Sequence, residues 1–138
     1  YHGIPGLEER ALTMKSLGDA LYLRNRMIAL LEEADFECCK HLRSRLLTFV
    51  VAGGGFAGVE TVAAVSDFLN GVLKFYRNLK PSDLRVVLVH SGQTVLPELD
   101  PKLGRYAGAL LEKRGVEVVY GAKVSSHDGT VRLTNGAT

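Results

Sequence analysis

The sequence predicts an α/β fold: a parallel sheet with flanking helices and an antiparallel β-hairpin near the C-terminus. Three observations predict it. An apolar run over residues 46–52 lands on Gly53-Gly54-Gly55-Phe56-Ala57-Gly58, with a helix-compatible stretch behind it. Two further short Val-rich runs, residues 85–89 and 116–120, each follow a segment of helical periodicity. Nearly all-apolar runs of this length suit strands buried on both faces of a parallel sheet. Finally, Asp128-Gly129 separates two short strand-like segments, which is hairpin chemistry.

Taken in order, Gly3-Ile4-Pro5-Gly6 reads as a turn or loop. Ser16-Leu17-Gly18-Asp19 is a capping box in its acidic form and opens a helix. Leu17, Leu21, Met27, Ile28 and Leu31 keep its apolar spacing to about Glu33, with Arg24 and Arg26 on a solvated face. A charged linker holding Cys38 and Cys39 is expected over 34–45, and a first strand over 47–52. Val62, Val65, Leu69, Val72, Tyr76 and Leu79 recur at three- and four-residue steps, which predicts one long helix over 57–79, ended by Lys80-Pro81-Ser82-Asp83. Arg85-Val86-Val87-Leu88-Val89 is the second strand. Asp100-Pro101 pairs an N-cap with a proline at the first helical position, and Gly115 closes the helix. Leu103, Tyr106, Ala107, Leu110 and Leu111 are its expected packed stripe. Val116-Glu117-Val118-Val119-Tyr120 is the third strand, and 123–126 and 130–133 form the hairpin. Strand, helix, strand, helix, strand is half of a doubly wound, Rossmann-like domain.

With 138 residues, 46% hydrophobic and 23% charged, the chain has the makings of a core. Its net charge of +2 comes from intermixed acids and bases, so no nucleic-acid footprint is visible. The sequence suggests no bilayer-spanning stretch of roughly 20 residues, no signal peptide, and no membrane contact. Adjacent Cys38 and Cys39 read as free thiols of a cytoplasmic protein, and four scattered histidines suggest no metal site. Beginning at Tyr1 and stopping after Asn135-Gly136, the sequence reads as a piece of something larger.

Gly-x-Gly-x-x-Gly after a strand and before a helix is the dinucleotide fingerprint. Gly53 permits the tight turn, Gly55 lets the backbone approach a pyrophosphate, and Gly58 lets helix and strand pack closely. The following N–H groups, with Gly54, Phe56 and Ala57 completing the loop, face the phosphates. No Lys-Ser or Lys-Thr follows, which excludes a Walker-type loop. At the end of the second strand an acid usually holds the adenosine ribose and disfavours a 2′-phosphate. Here that place is His90, followed by Ser91, well beyond the usual spacing of roughly 20 residues. Both can hydrogen-bond a ribose; neither rejects a 2′-phosphate by charge. Lys102 and Arg105 are nearby basic candidates for one, or simply helix surface. Glu60, expected in the helix's first turn, fits either a dipole-favoured acid or a residue beside the nicotinamide.

Ile4-Pro5-Gly6, Lys15-Ser16-Leu17-Gly18-Asp19-Ala20, Arg24-Asn25, Gly53 to Glu60, Leu96-Pro97-Glu98-Leu99-Asp100 and Leu111-x-x-Arg114-Gly115-Val116-Glu117-Val118 together resemble one family. It is the type II NADH dehydrogenases and their relatives among the FAD-dependent pyridine nucleotide-disulfide oxidoreductases. The resemblance implies an NAD(H)-binding domain inserted in an FAD domain: residues 1–46 as lead-in loop, helix and linker from the FAD side, and 47–138 as a C-terminally truncated NAD(H) domain. It implies NADH on the Gly53–Gly58 loop, Glu60 near nicotinamide and flavin, Val124 near the adenine, and hydride passing from NADH to FAD and then to a quinone. The longer enzyme would be peripheral on the cytoplasmic face of the membrane, and the 138 residues alone inactive. The chain departs from the family at His90, where Glu is common, and shows no FAD fingerprint, no membrane-attachment region and no last parallel strand. A ferredoxin or disulfide reductase, or a noncatalytic nucleotide sensor, are the other readings the residues allow.

Overall fold

A computed structural model describes residues 3–138; the first two residues of the expected lead-in lie outside the described residues. Capping sets the first helix. The Asp19 N–H donates to Ser16 Oγ (3.1 Å), and Asp19 Oδ2 accepts from the Ser16 N–H (2.9 Å) and the Lys15 N–H (2.8 Å). These bonds hold the Asp19 carboxyl below its ordinary pKa, the Lys15 N–H contributing most. Helix α1 (Leu17–Phe36) buries only its C-terminal half, through Met27, Leu31 and Ala34. Leu17 and Leu21 of the expected stripe are exposed.

The expected linker is largely helical. α1 runs on to Phe36, and α2 (Lys40–Leu46) follows. The guanidinium of Arg43 donates to the Glu37 carbonyl from both Nε (2.9 Å) and Nη2 (2.6 Å), which closes the connection between the helices. A cluster of charges thus marked an exposed helix rather than an irregular segment. Cys38 and Cys39 are free and exposed in the short connection.

Strands β1 (Thr48–Ala52), β2 (Arg85–His90) and β3 (Val116–Tyr120) form a parallel sheet in the order β1-β2-β3. The register sets Val50 beside Val87, and Leu88 beside Val118. Helix α3 (Phe56–Val72) crosses from β1 to β2 and buries Val62, Val65, Ser66 and Leu69. It is shorter than its periodicity predicts. The chain tightens into a 3-10 turn at Leu73–Phe75 and is extended at Tyr76. The cause is tertiary: the Asn78 N–H donates to Asp35 Oδ1 (2.8 Å) and Asn78 Nδ2 to the Asp35 carbonyl (2.9 Å). Leu79 still reaches the core, so the apolar spacing outlives the helix.

Phe56–Phe75 is, against expectation, long and apolar enough to cross a membrane by length and composition. Its setting supplies a different reason for that composition. It is the crossover of a βαβ unit, with one stripe packed in the same core as Met27, Leu31, Leu47, Leu88 and Leu111.

Helix α4 (Pro101–Lys113) starts at the Asp100 cap, where Oδ1 accepts from the Lys102 N–H (2.8 Å), and gives way to Gly115 at φ +82°. Its packed face corrects the expected one. Gly104, Gly108 and Leu111 are buried, whereas Leu103, Tyr106 and Leu110 are exposed. A Cβ at Gly104 would overlap the Val95 carbonyl, and one at Gly108 the Tyr120 hydroxyl. Close approach selects the glycine face, which turns the larger side chains outward. Burial of Tyr120 raises its hydroxyl pKa, with Glu112 adding to the effect. Strands β4 (Val124–His127) and β5 (Val131–Leu133) form the antiparallel hairpin, with a register shift between Val124 and Ser126. It meets the N-terminal segment where the His127 N–H donates to the Pro5 carbonyl (3.0 Å).

Candidate functional site

The parallel register brings the C-terminal ends of all three strands to one edge, where open α/β sheets hold their ligands. The Gly53–Gly58 loop leaves β1 there. The Gly53 N–H donates to the Val89 carbonyl (2.8 Å), which ties the start of the loop to β2. Gly53 has φ +106°, a conformation open to glycine and costly for other residues. At Gly58 a Cβ would overlap the Gly53 carbonyl, so α3 can seat on the turn only with glycine here.

Gly55 is different. Its φ of −76° and ψ of −175° suit any residue. Among the described residues, a Cβ there would have one neighbour within 4 Å, Glu98 Oε1 at 3.8 Å. Neither backbone strain nor packing explains glycine at this position. The position stands open beside a helix N-terminus. Gly55 is the N-cap of α3 and supplies no side-chain hydrogen bond, and the Val59 N–H to the Gly55 carbonyl (3.0 Å) is the first bond of the helix. The amides ahead of it carry the positive end of the helix dipole and suit an anion.

Phe56 is half-exposed and Ala57 exposed at this end. Glu60 is also exposed, but it lies in the second turn of α3, whose first turn holds no acid. The dipole effect fades beyond the first turn, so the helix alone accounts poorly for a carboxylate there. Ser91 is exposed just past β2. Val124 is buried at the start of β4, and nearby the Ala122 N–H donates to the His90 carbonyl (3.2 Å). Lys102 and Arg105 are exposed on α4.

His90 does not present its ring to solvent. It is 9% exposed, and its Nδ1 accepts from the Gly54 N–H at 3.1 Å. A Cβ on Gly54 would come within 2.7 Å of its Cγ, and one on Gly92 within 2.8 Å of its Nε2. Glycine at 54 and 92 is therefore explained by the imidazole between them. Nε2 is buried and has no hydrogen-bond partner among the described residues.

Leu96–Asp100, which the sequence singled out only as part of a family resemblance, belongs to a loop that meets the Gly53–Gly58 turn. The Leu96 N–H donates to the Gly54 carbonyl (2.7 Å), and Leu96 adopts φ +53° to do so. A bulky residue in the left-handed region is strained. Leu96 also precedes a proline, which ordinarily favours extended backbone. No local pattern announces such a conformation.

A three-stranded parallel half-sheet whose first βα turn is a Gly-x-Gly-x-x-Gly loop defines the Rossmann-like dinucleotide-binding class. Within it, this chain belongs to the pyridine nucleotide-disulphide oxidoreductase family, whose model matches residues 1–137. It is 36% identical to the type II NADH:quinone oxidoreductase Ndh of Mycobacterium tuberculosis, over 99% of this chain and 32% of that protein. Its fold matches that of NDH2 from Plasmodium falciparum, solved in complex with NADH, with a TM-score of 0.90 at 22% identity, covering 96% of this chain and 27% of the other. A ferredoxin reductase from Rhodopseudomonas palustris shares the fold with a TM-score of 0.68 at 19% identity, over 99% of this chain and 28% of that one. The chain thus spans about a third of the length of the curated relative, and its homologues are oxidoreductases.

Proposed function

We propose that this chain is the NAD(H)-binding module of a flavin-dependent NADH dehydrogenase. Gly55 carries the proposal, because it is the one fingerprint glycine that neither packing nor backbone conformation explains. A dinucleotide explains it. Gly54, Gly55 and the first amides of α3, Phe56 and Ala57 among them, would hold the pyrophosphate. The His90–Ser91 end of β2 would take the adenosine ribose, and the side toward Val124 the adenine. Glu60 then flanks the nicotinamide end.

Residues 47–138 make up the dinucleotide module, and 1–46 a lead-in from the FAD domain of a longer enzyme that is cytoplasmic and peripheral to the membrane. NADH held there would supply a hydride, with the FAD of the longer enzyme as its acceptor and a quinone as the final one. This chain's part is to hold the dinucleotide and orient its nicotinamide. Support comes from family membership, from the identity with a type II NADH:quinone oxidoreductase, and from the fold shared with an NADH-bound enzyme.

Titration of isotope-labelled chain with NADH tests the reading. Amide shifts confined to residues 53–60, 90–92 and 122–124, saturating with NADH, are expected. Saturable shifts that leave residues 53–58 unmoved would overturn it.

A further inference from the structure

The expected acid at the end of β2 is a histidine, and the histidine is turned inward. Its Nδ1 accepts the Gly54 N–H (3.1 Å), while the Gly54 carbonyl accepts the Leu96 N–H (2.7 Å). Both faces of the loop's central residue are therefore pinned by groups distant in sequence. Accepting from an amide requires a bare Nδ1, so the ring proton sits on Nε2. The opposite tautomer would set two donors against each other. Glycine at 54 and at 92 gives the ring its slot, since a Cβ at either position would press on it.

We propose that His90 is a positioning residue for dinucleotide binding: as the Nε2–H tautomer, wedged between Gly54 and Gly92, it fixes the Gly54 peptide and so the shape of the pyrophosphate loop. It acts through Gly54 rather than by contact with the pyrophosphate. The inference rests on the proposed NAD(H) site for its effect on binding, and on the hydrogen bond alone for its effect on the loop.

The test compares His90→Leu, which removes the acceptor, with His90→Asn, whose Oδ1 takes the place of Nδ1. In His90→Leu, hydrogen exchange at the Gly54 amide rises at least about tenfold, as expected for a lost net hydrogen bond, while Leu88 in mid-strand stays protected. NADH affinity falls about tenfold or more with it. His90→Asn restores both to within about threefold of wild type, which general damage to the core would not allow. In wild type, ring-nitrogen NMR shows a pyridine-type Nδ1 coupled to the Gly54 amide and a pyrrole-type Nε2. That spectrum decides the matter even if His90→Leu fails to fold. A protonated Nδ1, or unchanged Gly54 exchange in folded His90→Leu, overturns the proposal. Wild-type chain that binds no NADH, with the Gly54 effects intact, would remove the NAD(H) reading and leave the loop-holding role standing.

Discussion

Replacing Gly55 with alanine separates a glycine kept for the fold from one kept for a ligand. Its backbone angles are accessible to alanine, and the added methyl stands 3.8 Å from Glu98 Oε1 with no other neighbour within 4 Å among the described residues. Removing backbone freedom from the unfolded chain at such a site stabilises by about 0.4–1 kcal/mol. The melting temperature therefore holds or rises by about 1–4 °C for a chain of this size. Binding goes the other way. The methyl occupies the approach of the pyrophosphate and forfeits at least one charge-assisted amide bond, worth roughly 1.5–3 kcal/mol. That is a loss of about 10–150-fold in NADH affinity. Gly55→Val, with more bulk at the same point, abolishes binding while leaving most of the fold. Gly58→Ala is the control with the opposite signature: its methyl overlaps the Gly53 carbonyl, and overpacking of this kind costs about 1–3 kcal/mol. Calorimetric titration and thermal melting of the three variants give the answer. A folded Gly55→Ala chain with wild-type NADH affinity would refute the placement of the pyrophosphate.

Other outcomes follow from the same geometry. The purified 138-residue chain, free of flavin, should show no NADH:quinone turnover, because the flavin carries that chemistry; measurable turnover under those conditions would defeat the module reading. NADH should be preferred over NADPH by a modest margin, and Ser91→Glu should widen it: Ser91 is exposed just past β2, and a carboxylate beside the ribose penalises a 2′-phosphate by roughly 1–3 kcal/mol. Parallel titrations of both cofactors at one ionic strength check this, and an unchanged affinity ratio would place the ribose away from the end of β2. Arg85 holds the Glu117 carboxyl below its reference value of 4.5, chiefly by a hydrogen bond, with Nε to Oε2 at 2.9 Å. The depressed value belongs to the folded state, so the pair's contribution is present above about pH 4.5 and fades as pH falls through the folded pKa. Both side chains are about half exposed, which limits the contribution to about 0.2–1 kcal/mol. Glu117→Gln should flatten the acid limb of a stability-versus-pH curve by that amount, and a curve identical to wild type would show the pair to be inert.

Local chemistry made the elements legible, and non-local contacts decided what it left obscure. The caps at Ser16 and Asp100, the apolar strands and the Asp128-Gly129 turn are encoded within a few residues of where they act, and the structure has them in place. The length of α3 is not local: Asn78 leaves the helical path to bond Asp35, 43 positions away in the chain. Nor is the packed face of α4. Leu103, Tyr106 and Leu110 look like a core stripe to any periodicity, yet Gly104 and Gly108 take that side because Val95 and Tyr120 come too close for a Cβ. The small-xxx-small spacing was the available signal, and a preference for large apolar residues hides it. The candidate site shows the same division. Gly53, Gly55 and Gly58 could be read from spacing, because the fingerprint is one continuous turn. His90 could be placed at the loop from topology, since β2 must lie beside β1. The direction of its ring could not, because that depends on glycine at both 54 and 92 and on an amide 36 positions away. The residue most exposed to misreading is thus the one whose partners are farthest from it in sequence. An acceptor at the end of β2 has two possible donors, the ribose hydroxyl and the loop amide. In this chain the amide holds it.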